Sequence, residues 1–146
     1  MLVLAIASIG ARFTYLDGAA AFANAIAELA RRLLLSMVCG RRWTVEDEAN
    51  CCNQGQKDTR VTRSESCITA QLLLGIYGYS SGDRSWFNYS EASRCSLVRT
   101  AKHACLFQDQ PRTAASSRDS TETRWMAWVA TERRRRLGWA IYVCVP

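Results

Sequence analysis

Large apolar residues return at helical intervals through most of this chain. Between 125 and 145, Trp125, Trp128, Val129, Glu132, Arg136, Trp139 and Val143 recur at steps of three and four, with Leu137, Ile141 and Val145 running beside them. That pattern predicts one long helix, apolar at both ends. Its middle holds four consecutive arginines, Arg133 to Arg136. Successive helical residues stand about 100° apart, so the four fan around the axis. At least one is expected to point inward, where it needs a carboxylate or backbone carbonyls. Glu132 lies four residues before Arg136, the favourable order for an intrahelical pair.

The same period organises the rest. Leu2, Ile6, Ile9 and Phe13 share one face of a first helix, and Ala7, Gly10 and Ala11 offer small positions where another helix approaches closely. Asp17 is placed to cap a second helix. There Phe22, Ile26, Leu29, Leu33 and Met37 form an apolar face, Glu28 pairs with Arg31 or Arg32 on the other side, and Gly40 ends the element. Residues 41–61 lose the period and read as a long polar loop containing Glu46, Asp47, Glu48, Cys51 and Cys52. Thr62 and Glu65 form a capping box for a third helix, with Ile68, Leu72, Ile76 and Tyr79 on one face and Leu73, Leu74 and Tyr77 on another. No charge falls between Cys67 and Tyr79, which places this helix at the centre of a bundle. Ser80 to Asp83 make a turn with a capping aspartate. A fourth helix then lines Ala92, Cys95, Val98, Ala101 and Cys105 inward, with Arg94, Arg99 and Lys102 outside. Residues 108–120 form a second polar linker. No useful β-alternation appears. The expected fold is all-α, an irregular bundle of about five helices with two long polar loops, in one domain spanning 1–146.

Composition agrees with a packed domain, since 49% of the 146 residues are hydrophobic. The net charge is +6, and from Pro111 onward seven arginines face only Asp119, Glu122 and Glu132, so most of the excess is local. Basic runs are commonly solvated faces or import signals, but apolar flanks argue against a free signal. A groove-reading helix would have to expose Trp128 and Trp139. The expected role of the run is therefore structural, tying neighbouring helices through buried or half-buried charge.

Candidate chemistry is sparse. Seven cysteines and a single histidine, His103, include no C-x-x-C pair, so no finger or four-thiolate zinc site assembles at the usual spacings. Cys67, Cys95, Cys105 and Cys144 fall inside apolar helical patterns and are expected to pack as small hydrophobes. His103 and Cys105 diverge by about 200° on one helix and do not pair locally. Neither a G-x-S-x-G elbow nor a phosphate-cradling loop occurs; Gly75 and Gly78 are expected to permit close helix contact instead. No catalytic, cofactor-binding or metal-binding residue is predicted. The opening run MLVLAIASIGA lacks a positive n-region and is too short to cross a membrane, so no membrane association is expected. The Ala5-Ile6-Ala7 step and the Asn88-Tyr89-Ser90 sequon carry the alternative of a small secreted cysteine-containing protein.

Five segments in order carry a resemblance. LVLAIASIGARF (2–13), ELARRLLL (28–35), AQLLLGIYGYSSGD (70–83), SLVRTAKHACLF (96–107) and TERRRRLGWAIY (131–142) resemble the fungal-specific transcription factor domain, the middle homology region of fungal zinc-finger transcription factors. The resemblance covers nearly the whole chain outside the two loops. It implies a nuclear, non-enzymatic regulatory segment of an RNA polymerase II transcription factor, with DNA contacted, and zinc bound, only in a finger region absent from these residues. The chain is similar to the N-terminal part of that domain, and Cys105 stands where many members have glycine. If the remainder is missing, faces such as Leu73/Tyr77 and Leu137/Ile141 are expected to lose partners, favouring protein partners or self-association and marginal stability. The alternative from another class is a fragment of a helical enzyme or ligand-binding protein.

Overall fold

In the computed structural model, residues 1–39, 64–108 and 120–144 are described, and they form five helices with no strand among them. These are α1 (Leu2–Arg12), α2 (Ala19–Cys39), α3 (Glu65–Ser80), α4 (Arg84–His103) and α5 (Thr121–Cys144). Both polar loops lie outside the described residues apart from their edges, as do Gly40, Thr62 and Val145.

Helix α3 is central, as its uncharged sequence requires. One core cluster joins Ala5 of α1, Ala23, Ala27, Ala30 and Leu34 of α2, Ala70, Leu74 and Tyr77 of α3, and Trp86 of α4. The other joins Ile68 and Leu72 of α3 to Leu97 and Ala101 of α4, Leu106, and Leu137 and Ile141 of α5. Opposite faces of one helix thus serve both clusters, which is why a helix apolar all round is stable only there. The start of α3 differs from the expected box: Ser64 is the cap, its hydroxyl accepting from the Cys67 N–H at 3.3 Å, and Glu65 is left free for other partners. Asp83 caps α4 as expected, accepting from the Ser85 N–H at 2.8 Å. The Ser85 hydroxyl and amide hold this carboxyl below its usual range.

The inward faces are not the large-residue stripes of the sequence. In α2 the buried residues are Ala23, Ala27, Ala30 and Leu34, whereas Phe22 is 61% exposed and Leu29 50%. In α1, Ala5 and Ser8 are buried while Ile6 and Phe13 are exposed, and nothing stands within 4 Å of a Cβ built on Gly10. Small side chains let two helix backbones approach toward the short end of the usual 8–10 Å spacing. Adjacent stripes in α2 are offset by one residue, so the choice is a rotation of about 100°. Helix α4 turns similarly: Trp86, Ser90, Leu97, Thr100 and Ala101 face in, and Ala92 and Cys95 face out.

Close contact through glycine occurs at Gly78, where a Cβ would stand 1.9 Å from Ser90 Oγ and 2.6 Å from the Trp86 carbonyl oxygen. Gly75 has open space instead, and its carbonyl accepts the Ser90 hydroxyl at 3.0 Å. Because Ser90 is buried and also donates to Trp86, the Asn88-Tyr89-Ser90 sequon sits in a folded helix with its hydroxyl committed.

The end of α4 fixes where α5 docks. Leu106 N–H donates to Ala101 O at 3.1 Å and Cys105 N–H to Lys102 O at 3.0 Å, a Schellman arrangement with Cys105 at φ 56°. Leu106 consequently folds back onto Ala101 in the second cluster. A left-handed conformation costs a residue bearing a Cβ about 1–2 kcal/mol, partly offset by the greater chain entropy that glycine loses on folding. Cys105→Gly is therefore expected to raise stability by about 0.5–1 kcal/mol, read from the urea unfolding midpoint at unchanged slope.

Candidate interaction surface

Helix α5 carries the arginine run, and the structure gives each arginine a partner. Arg134 points inward, donating to Glu65 Oε1 at 2.9 Å and to the Ala104 carbonyl at 2.9 Å. Arg133 also reaches Glu65, at 2.8 Å. Glu65 at the first turn of α3 therefore joins α5 to α3, and Arg134 adds the end of α4. This is the interhelical tie expected of the run. On the same helix Glu132 receives Arg135 at 2.8 Å and Arg136 at 2.9 Å. Those two hydrogen bonds, Arg136 first, hold the Glu132 carboxyl below its usual range. Water and salt screen pairs on a helix surface, so their main effect is to order the side chains.

Only Leu137, Gly138 and Ile141 of α5 are buried; every residue from Thr121 to Thr131 is exposed. The stripe that the sequence marked most strongly faces outward. Trp125 and Trp128 stack at 5.0 Å, and Trp139 meets Tyr142 edge-on at 5.9 Å, with Trp139 63% and Tyr142 68% exposed. The inner face uses the neighbouring run, Leu137 and Ile141. These residues, like Tyr77, are covered, contrary to the expectation that their faces would lack partners. Bare apolar side chains lie instead on the outward stripes of α2 and α5, and also on α1 and the turn after it, at Val3, Ile6, Phe13, Tyr15 and Leu16.

Beside α5, the turn from Cys105 to Gln108 leaves an open cleft of about 460 Å³. Phe107, Arg134, Arg135, Trp139 and Tyr142 line it, over a floor of Leu106 and Gly138. The floor is tight because a Cβ on Gly138 would stand 2.7 Å from the Leu106 carbonyl oxygen. The cleft is not legible in the sequence, since only the reversed chain direction at Cys105 brings residues near 106 beside residue 138.

Other residues with candidate chemistry remain apart. His103 is exposed, and among the described residues no group of three or more His, Cys, Asp or Glu side chains could hold a metal ion. Of the four cysteines expected to pack as small hydrophobes, Cys67 is buried and Cys144 half-buried, while Cys95 and Cys105 are exposed. Burial pushes the Cys67 thiol upward in pKa. Glu28 takes both Arg31 and Arg32, at 2.8 Å each, and the Arg31 bond chiefly lowers its carboxyl pKa. Among the described residues, no helix is long and apolar enough to cross a membrane.

No protein-family model matches the chain, and no match was found among curated proteins or solved structures.

Proposed function

We propose that the chain is a helical protein-interaction module, the regulatory and non-enzymatic segment of a nuclear fungal RNA polymerase II transcription factor. The observation that carries the interaction part is the outward placement of large apolar side chains on α2 and α5. Phe22, Leu29, Trp125, Trp128, Trp139 and Tyr142 all stand exposed while alanine, serine and glycine fill helix contacts. Exposed apolar stripes of this extent mark surfaces that other proteins cover. The transcriptional part rests on the order of the five sequence segments alone, with no family model adding to it. In this reading DNA is contacted through a finger region outside these residues.

The test is a reporter assay in a fungal host, with the chain fused to an unrelated DNA-binding domain. A change in reporter output that is lost in a Trp128→Ser/Trp139→Ser variant of unchanged helicity is expected. No change with the unaltered chain, at normal abundance in the nucleus, would overturn the transcriptional reading.

A further inference from the structure

We infer that the outward face of α5 and its adjoining cleft receive an acidic segment of a partner protein bearing one large apolar side chain. This rests on the interaction reading and names the partner's chemistry. Four guanidinium groups share two carboxylates there, Glu65 and Glu132, leaving two positive charges unbalanced among the described residues. Each carboxylate is also more covered than the arginines it binds: Glu65 is 23% exposed against 72% for Arg133 and 30% for Arg134, and Glu132 17% against 60% for Arg135 and 76% for Arg136. A partner therefore meets guanidinium groups, whose planar forks suit carboxylates.

The apolar part of the ligand follows from the cleft. Its volume falls within the range of sites that enclose a small-molecule-sized group. Trp139 and Tyr142 supply aromatic walls and Arg135 stands at the same wall, so an apolar anchor flanked by carboxylates satisfies both features together.

Charge decides against the other occupants. A second copy would bring one excess of positive charge against another, which like-charge repulsion opposes. Nucleic acid binding draws its affinity from many phosphate contacts, commonly 6–10, and two unbalanced charges release few counterions. A lipid surface would require Glu132, Arg135 and Arg136 to enter with the tryptophans of the same stripe, whereas surface helices keep charges on the opposite face.

The probe is a short fluorescein-labelled peptide with aspartates on both sides of one phenylalanine, titrated with the full chain and followed by anisotropy. Saturable binding is expected, at least tenfold weaker when the aspartates become asparagine. The same loss is expected in Arg135→Glu/Arg136→Glu and in Trp139→Ala/Tyr142→Ala. Arg135 and Arg136 suit this test because the interhelical ties run through Arg133 and Arg134, and circular dichroism checks that helicity is kept. Absence of binding, equal binding of the asparagine peptide, or tighter binding of duplex DNA or anionic vesicles would overturn the inference. The reporter separates the two ideas. Output lost with Phe22→Ser/Leu29→Ser but kept with Arg135→Glu/Arg136→Glu sinks this inference while sparing the interaction reading, whereas output unmoved by any of these variants sinks both.

Discussion

Gly78→Ala is expected to lower stability by about 3 kcal/mol, although alanine is intrinsically the better helix former by about 1 kcal/mol. The added Cβ would stand 2.6 Å from the Trp86 carbonyl oxygen and 1.9 Å from Ser90 Oγ. Ser90 has room to swing only by giving up the bifurcated bond in which its one hydroxyl proton is shared between the Gly75 and Trp86 carbonyls, each at 3.0 Å. The Trp86 carbonyl belongs to the backbone of α4, so α3 and α4 must separate. Urea unfolding measures the loss, and Gly75→Ala is its internal control. With nothing within 4 Å of its Cβ position, that substitution is expected to gain about 0.5–1 kcal/mol from helix propensity alone. Equal effects at the two glycines would remove close approach as the reason for glycine at 78.

Tyr77→Ala is expected to cost about 4 kcal/mol, the range found for truncating a buried aromatic side chain. The ring is fully buried and meets Trp86 edge-on with centroids 5.2 Å apart, and its hydroxyl donates to Asn24 Oδ1 on α2. Truncation empties the first cluster at the point where α2, α3 and α4 converge. Tyr77→Phe, which deletes only the hydroxyl, is expected to cost about 1 kcal/mol because the half-buried Asn24 amide retains access to water. Thermal unfolding of both variants separates packing from hydrogen bonding; a phenylalanine variant as unstable as the alanine variant would make the hydroxyl the dominant contribution. Burial raises the phenol pKa above the ordinary 10.0. Its contribution to stability is therefore whole below about pH 10 and declines as pH rises through the higher folded value.

Much of the fold was legible in local pattern. Five helices, the central place of α3, the aspartate cap of α4, the Glu28 and Glu132 pairs and the inward arginine all follow from spacing and from the cost of burying charge. The orientation of the outer helices was not. Hydrophobic periodicity weights side chains by size, so Phe22, Ile26 and Leu29 outweigh Ala23, Ala27 and Ala30, each one residue away. Helix pairing instead rewards surfaces that allow close approach. Spacing does not single out Ser64 as the cap, because Thr62 and Glu65 satisfy the capping-box rule, whereas in the fold Glu65 bonds Arg133 and Arg134.

The candidate surface divides along the same line. That α5 would combine aromatic residues with a cationic centre is a property of its sequence. That the aromatic stripe faces out, that two carboxylates answer four arginines, and that a cleft opens beside Trp139 depend on distant residues, Glu65 and Leu106, which reach α5 only after the chain has folded back. Which segments are helical follows from the amino-acid order, because helical period and end signals are local in the chain. Which face of each helix turns inside follows only from packing, because it depends on how closely the neighbouring helix backbone can approach.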